Sequence, residues 1–446
     1  MSAIARVLLE CGYVVSGSDR SLSPLAADLR AAGVTVYEGH AAANIAGADI
    51  VVRSSAIPDD NVEVMAAREA GIPVLKRYDF LNQLTKDKKL VAVAGSHGKT
   101  TTSSMLAWAM TAQKMDPSYI LGGVSRNLAA NAHAGSGQYF VLEADEYDRM
   151  FLGLQPDCIL LTNVEYDHPD CYPTVPEYHA AFRQFVGLLQ PGGLLVTDID
   201  QPASAEMLTA LPAHASAVTF ALSAPVDYRA VNLVVNANGG RSFDVLKKNI
   251  TAPLVHVDLQ VPGDHNVRNA LGVLAVMDSL GCSIEEAAKA LSAYKGSGRR
   301  FEIAGEVNGI TIVNDYAHHP TKITATLLAA RQRFPGRRVI AVWQPHTYSR
   351  THALEDDFIR AIQLADLTIV TDIFAAREQA ETYTSRDLVD KVNSSTVMHI
   401  GNLDDVTAYL LSILRSGDVL LVLSAGDADR VCRDVLSGLR SKERGE

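Results

Sequence analysis

The chain has 446 residues, of which 48% are hydrophobic and 20% charged, and it carries a formal net charge of −11 at pH 7. At roughly 150 residues per domain this length predicts about three domains, and the composition is that of a globular protein and excludes disorder. The acidic balance argues against a general binder of phosphate backbones, and so against a nucleic-acid partner, while leaving room for a local basic pocket.

The opening residues, MSAIARVLLECGYVV, are apolar enough to raise a secretory signal, but Arg6 and Glu10 interrupt them and no small-residue cleavage site follows. A helix leading into a strand is expected instead. No run approaches the roughly 20 apolar residues of a bilayer span, so a cytoplasmic protein without membrane insertion is predicted. The five cysteines, Cys11, Cys158, Cys171, Cys282 and Cys432, are widely spaced and form no C-x-x-C pair, which fits reduced thiols better than disulfide, redox or zinc work.

Residues 1 to about 85 alternate helical patterns with short runs such as VVSGSD, TVYEGH, ADIVVRSSAIP and IPVLKRYDF, predicting a small parallel α/β unit. LTKDKKL reads as a solvated connection. The strands YFVLEADEYD, DCILLTNVEYDH and GLLVTDID that follow are near-continuous apolar runs ending in polar residues, as in a parallel sheet covered on both faces. Between Ala217 and Pro262 the pattern alternates, with a hairpin signal at Asn238-Gly239, and an antiparallel β insert is expected. KGSGRRFE resembles a linker, after which GITIVNDYAHH, RVIAVWQPHTYSR, LTIVTDI and DVLLVLSAGD resume the α/β rhythm. Ligands of such sheets gather beyond the carboxyl ends of the strands, where Gly95, Asp145, Asn163, Asp315, His346 and Ser424 fall.

The stretch VAVAGSHGKTTTSSM places a strand, a glycine turn and a helix start in the order that shapes backbone N–H groups around phosphate. Val93 takes the place of the first glycine of the full phosphate-loop motif. Gly95, Ser96, His97 and Gly98 would wrap the anion, Lys99 would supply a point charge, and the Thr100 hydroxyl can ligate Mg²⁺. Glu143 and His168 end the next two strands; Glu143 is a natural magnesium ligand, and His168 is either a second one or a turn hydrogen-bonder. Asp145, Glu146, Asp148, Glu165 and Asp167 read equally well as solvated charges. Asn266 and Asn269 share one face of a helical turn, as caps or as binding groups. Asp315, Tyr316, His318, His319, His346, Tyr348 and Arg350 end two strands of the last third, where a guanidinium beside imidazoles makes a receptor for a carboxylate.

In this order, SGSD, SSAIP, GSHGKTTT, EADEYDRMFLGLQP, TNVEYDHPDCY, VPGDHNVRNAL, GRRFE, DYAHHPTKI and QPHTYSRT resemble the Mur ligases, the ATP-dependent amide-forming enzymes of peptidoglycan synthesis, along nearly the whole chain. The similarity is greatest to the branch that joins L-alanine to UDP-N-acetylmuramate. It implies three α/β domains: a truncated Rossmann-like N-terminal domain for the UDP-sugar (1–85), a central P-loop mononucleotide-binding domain with an antiparallel β insert (86–297), and a C-terminal Rossmann-like domain that receives the amino acid and closes over ATP (298–446). It further implies that Lys99, Thr100 and Thr101 hold ATP phosphates and magnesium, with Glu143 and His168 serving the metal. Asn266 and Asn269 would meet adenine, and Arg300 and Asp315 would contact phosphate or ribose. Tyr316, His318, His346 and Arg350 would line the L-alanine pocket, His318 also acting in catalysis, while Asp19, His40 and Ser54 would touch the uridine nucleotide.

Three departures from the family pattern accompany the resemblance. Relatives carry a strand and a glycine-rich loop ahead of the segment matching MSAIARVLLECGYVVSGSD, and the expectation is either a start further upstream or impaired sugar-nucleotide binding. Phe182 stands where later-acting ligases carry a modified lysine, which favours the alanine branch or the recycling ligase that attaches a tripeptide. Thr347 stands where many relatives have arginine. A dinucleotide-dependent oxidoreductase is disfavoured because no G-x-G-x-x-G occurs, and a simple nucleotide switch is the remaining alternative.

Overall fold

The computed structural model describes residues 1–223, 225–376 and 378–444, so the last boundary expected above, 446, lies outside the described residues. The chain divides into two compact units, one of Met1–Glu165, His179–Tyr228 and Gly272–Ala290, the other of Tyr166–Tyr178, Arg229–Leu271 and Leu291–Glu446. No helix among the described residues is long and apolar enough to cross a membrane.

The opening apolar run forms the expected helix, Ser2–Glu10, which buries Ala3, Ile4 and Val7 on one stripe, at the three- and four-residue spacing of a helix face. Ala3 and Val7 pack on Ala132, and Glu10 Oε2 accepts from the Ala134 backbone N–H at 2.8 Å. Strand β1 (Ser16–Asp19) pairs in parallel with β2 (Thr35–Glu38), and β3 (Val51–Arg53) with β4 (Val74–Lys76). The one parallel unit expected here is two separate two-stranded sheets. LTKDKKL connects a helix, Arg77–Thr85, to the next strand: Lys86, Asp87 and Lys89 are exposed, while Lys88 Nζ donates to the Gly135 and Gly137 carbonyls at 2.6 Å.

Next come β5 (Lys89–Ala94), β6 (Ser118–Ser125), β7 (Ala130–His133), β8 (Tyr139–Glu143), β9 (Cys158–Leu161), β10 (Leu194–Asp198) and β11 (Ser216–Ala221). They lie side by side in the order β11-β10-β9-β5-β8-β6-β7, all parallel except β7. Strand β5 is central, and Val91, Ala92, Val93 and Ala94 are buried on both faces, as their unbroken apolar run requires. Its carboxyl end delivers the glycine turn, and the carboxyl ends of its neighbours β8 and β9 deliver Glu143 and the residues after Leu161. The antiparallel insert begins later than expected, because β11 is parallel to β10. It consists of β12 (Tyr228–Val235), β13 (Arg241–Lys247) and β14 (Val255–Leu259), with the first hairpin turn closed by Gly239 N–H on the Asn236 carbonyl at 2.9 Å.

The C-terminal sheet contains β15 (Glu302–Val307), β16 (Ile310–Asp315), β17 (Val339–Trp343), β18 (Leu367–Val370), β19 (Val397–His399) and β20 (Val419–Leu423), ordered β15-β16-β20-β17-β18-β19 and parallel except for β15. Alternate residues feed two cores. Val313, Ala341, Trp343, Val370, Leu421 and Leu423 meet Ile323, Leu327 and Phe358 on one face. Ile312, Ile340, Val342, Ile369, Leu420 and Val422 meet Val406, Leu410, Val431 and Val435 on the other. The period-two alternation of strand side chains explains the split, and each fully buried aliphatic contributes roughly 1.5–3 kcal/mol. KGSGRRFE is no loose linker: Ser297 is buried and bonded to the Tyr294 hydroxyl at 2.9 Å, and the Phe301 N–H donates to Asp315 Oδ2 at 2.6 Å.

Candidate functional site

In the first unit, the turn between β5 and the helix Lys99–Ala112 is clamped onto the chain leaving β9. Ser96 Oγ donates to the Glu165 carbonyl at 2.6 Å, His97 N–H to Asn163 Oδ1 at 3.0 Å, and Thr162 Oγ1 to the His97 carbonyl at 2.6 Å. His97 Nε2 lies 2.7 Å from Glu165 Oε2. Gly95 is required by close approach, because a Cβ there would stand 2.1 Å from Thr162 Oγ1. Gly98, at φ 82, occupies the N-cap position, and no side chain caps the helix. The N–H groups of that first turn therefore face whatever anion binds there.

Lys99 Nζ donates to the Gly95 carbonyl at 2.7 Å and to Glu146 Oε2 at 2.5 Å. Its side chain is 12% exposed and that of Glu146 is fully buried. Burial opposes the lysine's charge, but Glu146, Asp145 and Glu143 together outweigh it and hold the ammonium above its ordinary value. Lys99 is thus a permanent cation at neutral pH.

Thr100 Oγ1 donates to Glu143 Oε1 at 3.0 Å, and the Gly122 N–H to Glu143 Oε2 at 2.7 Å. A Cβ on Gly122 would stand 2.5 and 2.6 Å from the two Glu143 oxygens and 2.7 Å from Thr100 Oγ1, so the missing side chain leaves a cradle lined by hard oxygen donors. That donor set fits Mg²⁺.

In the second unit, Arg350 is the hub. Its Nε donates to Asp167 Oδ1 at 2.7 Å, Nη1 to His346 Nδ1 and to the His346 carbonyl at 3.2 Å, and Nη2 to His168 Nδ1 at 3.2 Å. A guanidinium only donates, so both imidazoles accept at Nδ1 and carry their protons on Nε2. His168 thus makes a hydrogen bond to Arg350 through Nδ1. His318 has the opposite polarity: Nδ1 donates to the Tyr316 carbonyl at 2.9 Å, leaving Nε2 as an acceptor. Burial first, then Lys322 and Arg350, hold His318 well below the ordinary histidine value, so it is neutral. His319 caps the helix Pro320–Arg333 by accepting from the Thr321 N–H.

Tyr316 lies under both Arg299 and Arg300, whose guanidinium carbons are 5.0 and 4.8 Å from its ring centre, and it meets His318 edge-on at 5.1 Å. His318 in turn neighbours His346, ring centres 5.8 Å apart. Burial pushes the Asp315 carboxyl up to about 6, against the opposing pull of Arg300. Thr347, at φ 67 and ψ 145, occupies a backbone region that β-branched residues avoid. Asn266 Nδ2 donates to the Pro262 carbonyl at 2.7 Å and Asn269 Nδ2 to Asn266 Oδ1 at 3.2 Å, so the pair is linked along its helix.

Asp19 ends β1, His40 follows β2 and Ser54 follows β3, each at the carboxyl end of a parallel strand. Ser18 Oγ and Glu63 Oε2 lie 3.0 and 3.3 Å from His40 Nδ1 and fix its ring. Ser54 Oγ accepts from the Ala56 N–H at 3.3 Å.

Three participants escaped sequence reasoning: Glu146, Asp167 and Gly122. In the sequence the two acids read equally well as solvated charges, whereas both are buried and paired with cations. For Glu146 a signal existed, since an acid three residues beyond the strand-ending Glu143 shares the neighbourhood of Lys99. Gly122 lies in an ordinary strand pattern, and nothing in the sequence marks it.

Three family models match the chain: "Mur ligase family, catalytic domain" over residues 1–89, "Mur ligase middle domain" over 93–277 and "Mur ligase, glutamate ligase domain" over 299–426. The chain belongs to the Mur ligase family and has its three-domain α/β architecture with mixed sheets. Among its relatives, a UDP-N-acetylmuramate–L-alanine ligase of Roseiflexus sp. (strain RS-1) is 42% identical over 458 residues, covering 99% of this chain and 97% of the relative. That of Syntrophus aciditrophicus is 39% identical over 99% of this chain and 92% of its own length. Among solved structures, the UDP-N-acetylmuramate-alanine ligase of Thermotoga maritima superimposes with a TM-score of 0.84 at 27% identity, covering 99% of this chain and 97% of that one. A murein peptide ligase of Psychrobacter arcticus gives 0.75 at 26% identity, covering 98% and 96%.

Proposed function

We propose that this chain is an ATP-dependent ligase that joins L-alanine to the lactyl carboxylate of UDP-N-acetylmuramate through an acyl phosphate, in peptidoglycan synthesis. The observation that carries this reading is the 42% identity with an alanine-adding ligase across 99% of the chain. Residues 1–85 are assigned to the UDP-sugar, through Asp19, His40 and Ser54; residues 86–297 to ATP; and residues 298–446 to the amino acid. The reaction is assigned to the cytoplasm.

A carboxylate is a poor electrophile, so it is first activated by transfer of the γ-phosphoryl group of ATP. The turn from Gly95 to Thr101 receives the phosphates, with the helix N-terminus and Lys99 offsetting their charge in the transition state. Thr100 and Glu143 would hold Mg²⁺, which when bound supplies further charge neutralisation at the phosphoryl oxygens. Asn266 and Asn269 are assigned to adenine, and Arg300 and Asp315 to phosphate or ribose. Tyr316, His318, His346 and Arg350 are assigned to L-alanine. ADP leaves in the phosphoryl transfer. His318 Nε2, neutral, can then accept a hydrogen bond from an N–H of the incoming amine, whose nitrogen lone pair attacks the acyl carbon, breaking the C–O bond to phosphate and giving the amide and inorganic phosphate. His168 orients Arg350 here, and a metal role for it would require that hydrogen bond to be exchanged.

The test is phosphate release by the purified protein with ATP, Mg²⁺ and UDP-N-acetylmuramate, adding either L-alanine or a murein tripeptide. Turnover dependent on L-alanine is expected. Turnover only with the tripeptide would shift the assignment to the recycling ligase, and hydrolysis indifferent to both would indicate a nucleotide switch.

A further inference from the structure

We infer that Glu146 is a resident counter-anion for Lys99 that competes with incoming phosphate, so that nucleotide affinity is set by exchanging a carboxylate for a phosphoryl oxygen. The inference rests on reading the Gly95–Thr101 turn as a triphosphate site. An ammonium has three N–H donors, and Lys99 already commits two, to the Gly95 carbonyl at 2.7 Å and to Glu146 Oε2 at 2.5 Å. The ion pair is withdrawn from solvent, so water cannot substitute for either partner cheaply.

The acid is held on a fixed support. Arg149 N–H closes on the Glu146 carbonyl and Phe151 N–H on the Asp145 carbonyl, both at 3.0 Å, and Asp148 and Arg149 take successive left-handed conformations at φ 56 and 54. Phe151 is buried, stacked on Phe185 at 4.5 Å and edge-on to Phe182 at 5.2 Å. With the backbone that carries the acid anchored and the lysine stem flexible, phosphate binding draws Lys99 away and leaves Glu146 with less compensation. That opposing cost weakens nucleotide binding, ADP included, and favours release of the product.

Glu146→Gln preserves shape and the acceptor oxygen while removing the charge. The expected result, by calorimetric titration of the full chain with a non-hydrolysable ATP analogue and Mg²⁺, is a Kd about tenfold tighter, matching roughly 1.4 kcal/mol. Inorganic tripolyphosphate should tighten likewise, and the unliganded protein should melt lower while gaining more from ligand. Glu146→Asp, with its charge one methylene further back, should tighten less and serves if the glutamine variant folds poorly. An unchanged or weaker Kd in the folded glutamine variant overturns the inference, since it would mean that Glu146 assists the bound phosphate or is only structural. Lys99→Met separates the two layers: weakened binding there without tightening in Glu146→Gln sinks only the role of Glu146, whereas unaltered binding sinks the phosphate-site reading itself.

Discussion

Arg350 Nε stands 2.7 Å from Asp167 Oδ1, with the two side chains only 4% and 1% exposed. Burial alone would raise the Asp167 carboxyl, but His168, Arg350, His319 and Lys322 outweigh it and hold the group well below the ordinary range. Removing one member of a buried pair strands the other, so Asp167→Asn should cost about 3–5 kcal/mol. Because the native value is depressed, the stabilisation is complete above the unfolded value near 4 and fades as pH falls below it. Urea midpoints of wild type and variant should therefore differ most at neutral pH and converge in acid; a gap that stays constant down to about pH 3 would contradict the pairing.

Asp315 should produce the opposite slope. Its native value is raised to about 6, so between about 4 and 6 the folded protein holds a proton that the unfolded chain has lost. Stability from this group is greatest below that window and declines as pH rises through it, by about 3 kcal/mol at most. Asp315→Asn should flatten this part of the stability profile, measurable by urea unfolding at several pH values. An identical slope in the variant would assign the titration elsewhere.

Much of this architecture is legible in the sequence because strand burial leaves a local signature. The runs at Val91–Ala94 and Val419–Leu423 announce strands buried on both faces, and the glycine-lysine turn announces the anion site. What escapes is decided by tertiary contact. Glu146 and Asp167 look like the solvated acids around them, and only the partner, Lys99 in one case and Arg350 in the other, distinguishes them. Likewise, the sequence names Arg350 beside imidazoles but does not show that Asp167, His168 and His346 all hydrogen-bond to its guanidinium. The N-terminal region fails differently: its short strands were found, but the sequence does not say which of them pair, and they form two sheets instead of one.

Gly122 provides a test of the proposed metal cradle that substitutes none of its ligands. It is exposed on its strand and has ordinary φ, so alanine there should fold. The new methyl would nonetheless press on both Glu143 oxygens and on Thr100 Oγ1. Gly122→Ala is expected to lower kcat by about 100-fold or more and to raise the Mg²⁺ concentration needed for half-maximal phosphate release, with little change in melting temperature. A normal magnesium titration would remove Glu143 and Thr100 from the metal site.

His318 tests the amino-acid end. Asparagine can retain a donor toward the Tyr316 carbonyl, replacing Nδ1–H, but offers nothing where Nε2 accepts. If that lone pair receives the amine, His318→Asn should lower kcat/KM for L-alanine by 10²–10⁴-fold, roughly the range for loss of a positioned proton acceptor. Equilibrium binding of ATP should be unaltered. The histidine is already neutral across the physiological range, so the defect should be as large at pH 8 as at pH 6.5. A defect confined to the lower pH would mean that protonation of His318 matters and that its role as a neutral acceptor is wrong. Weakened ATP binding without an alanine effect would move the residue out of the amino-acid pocket.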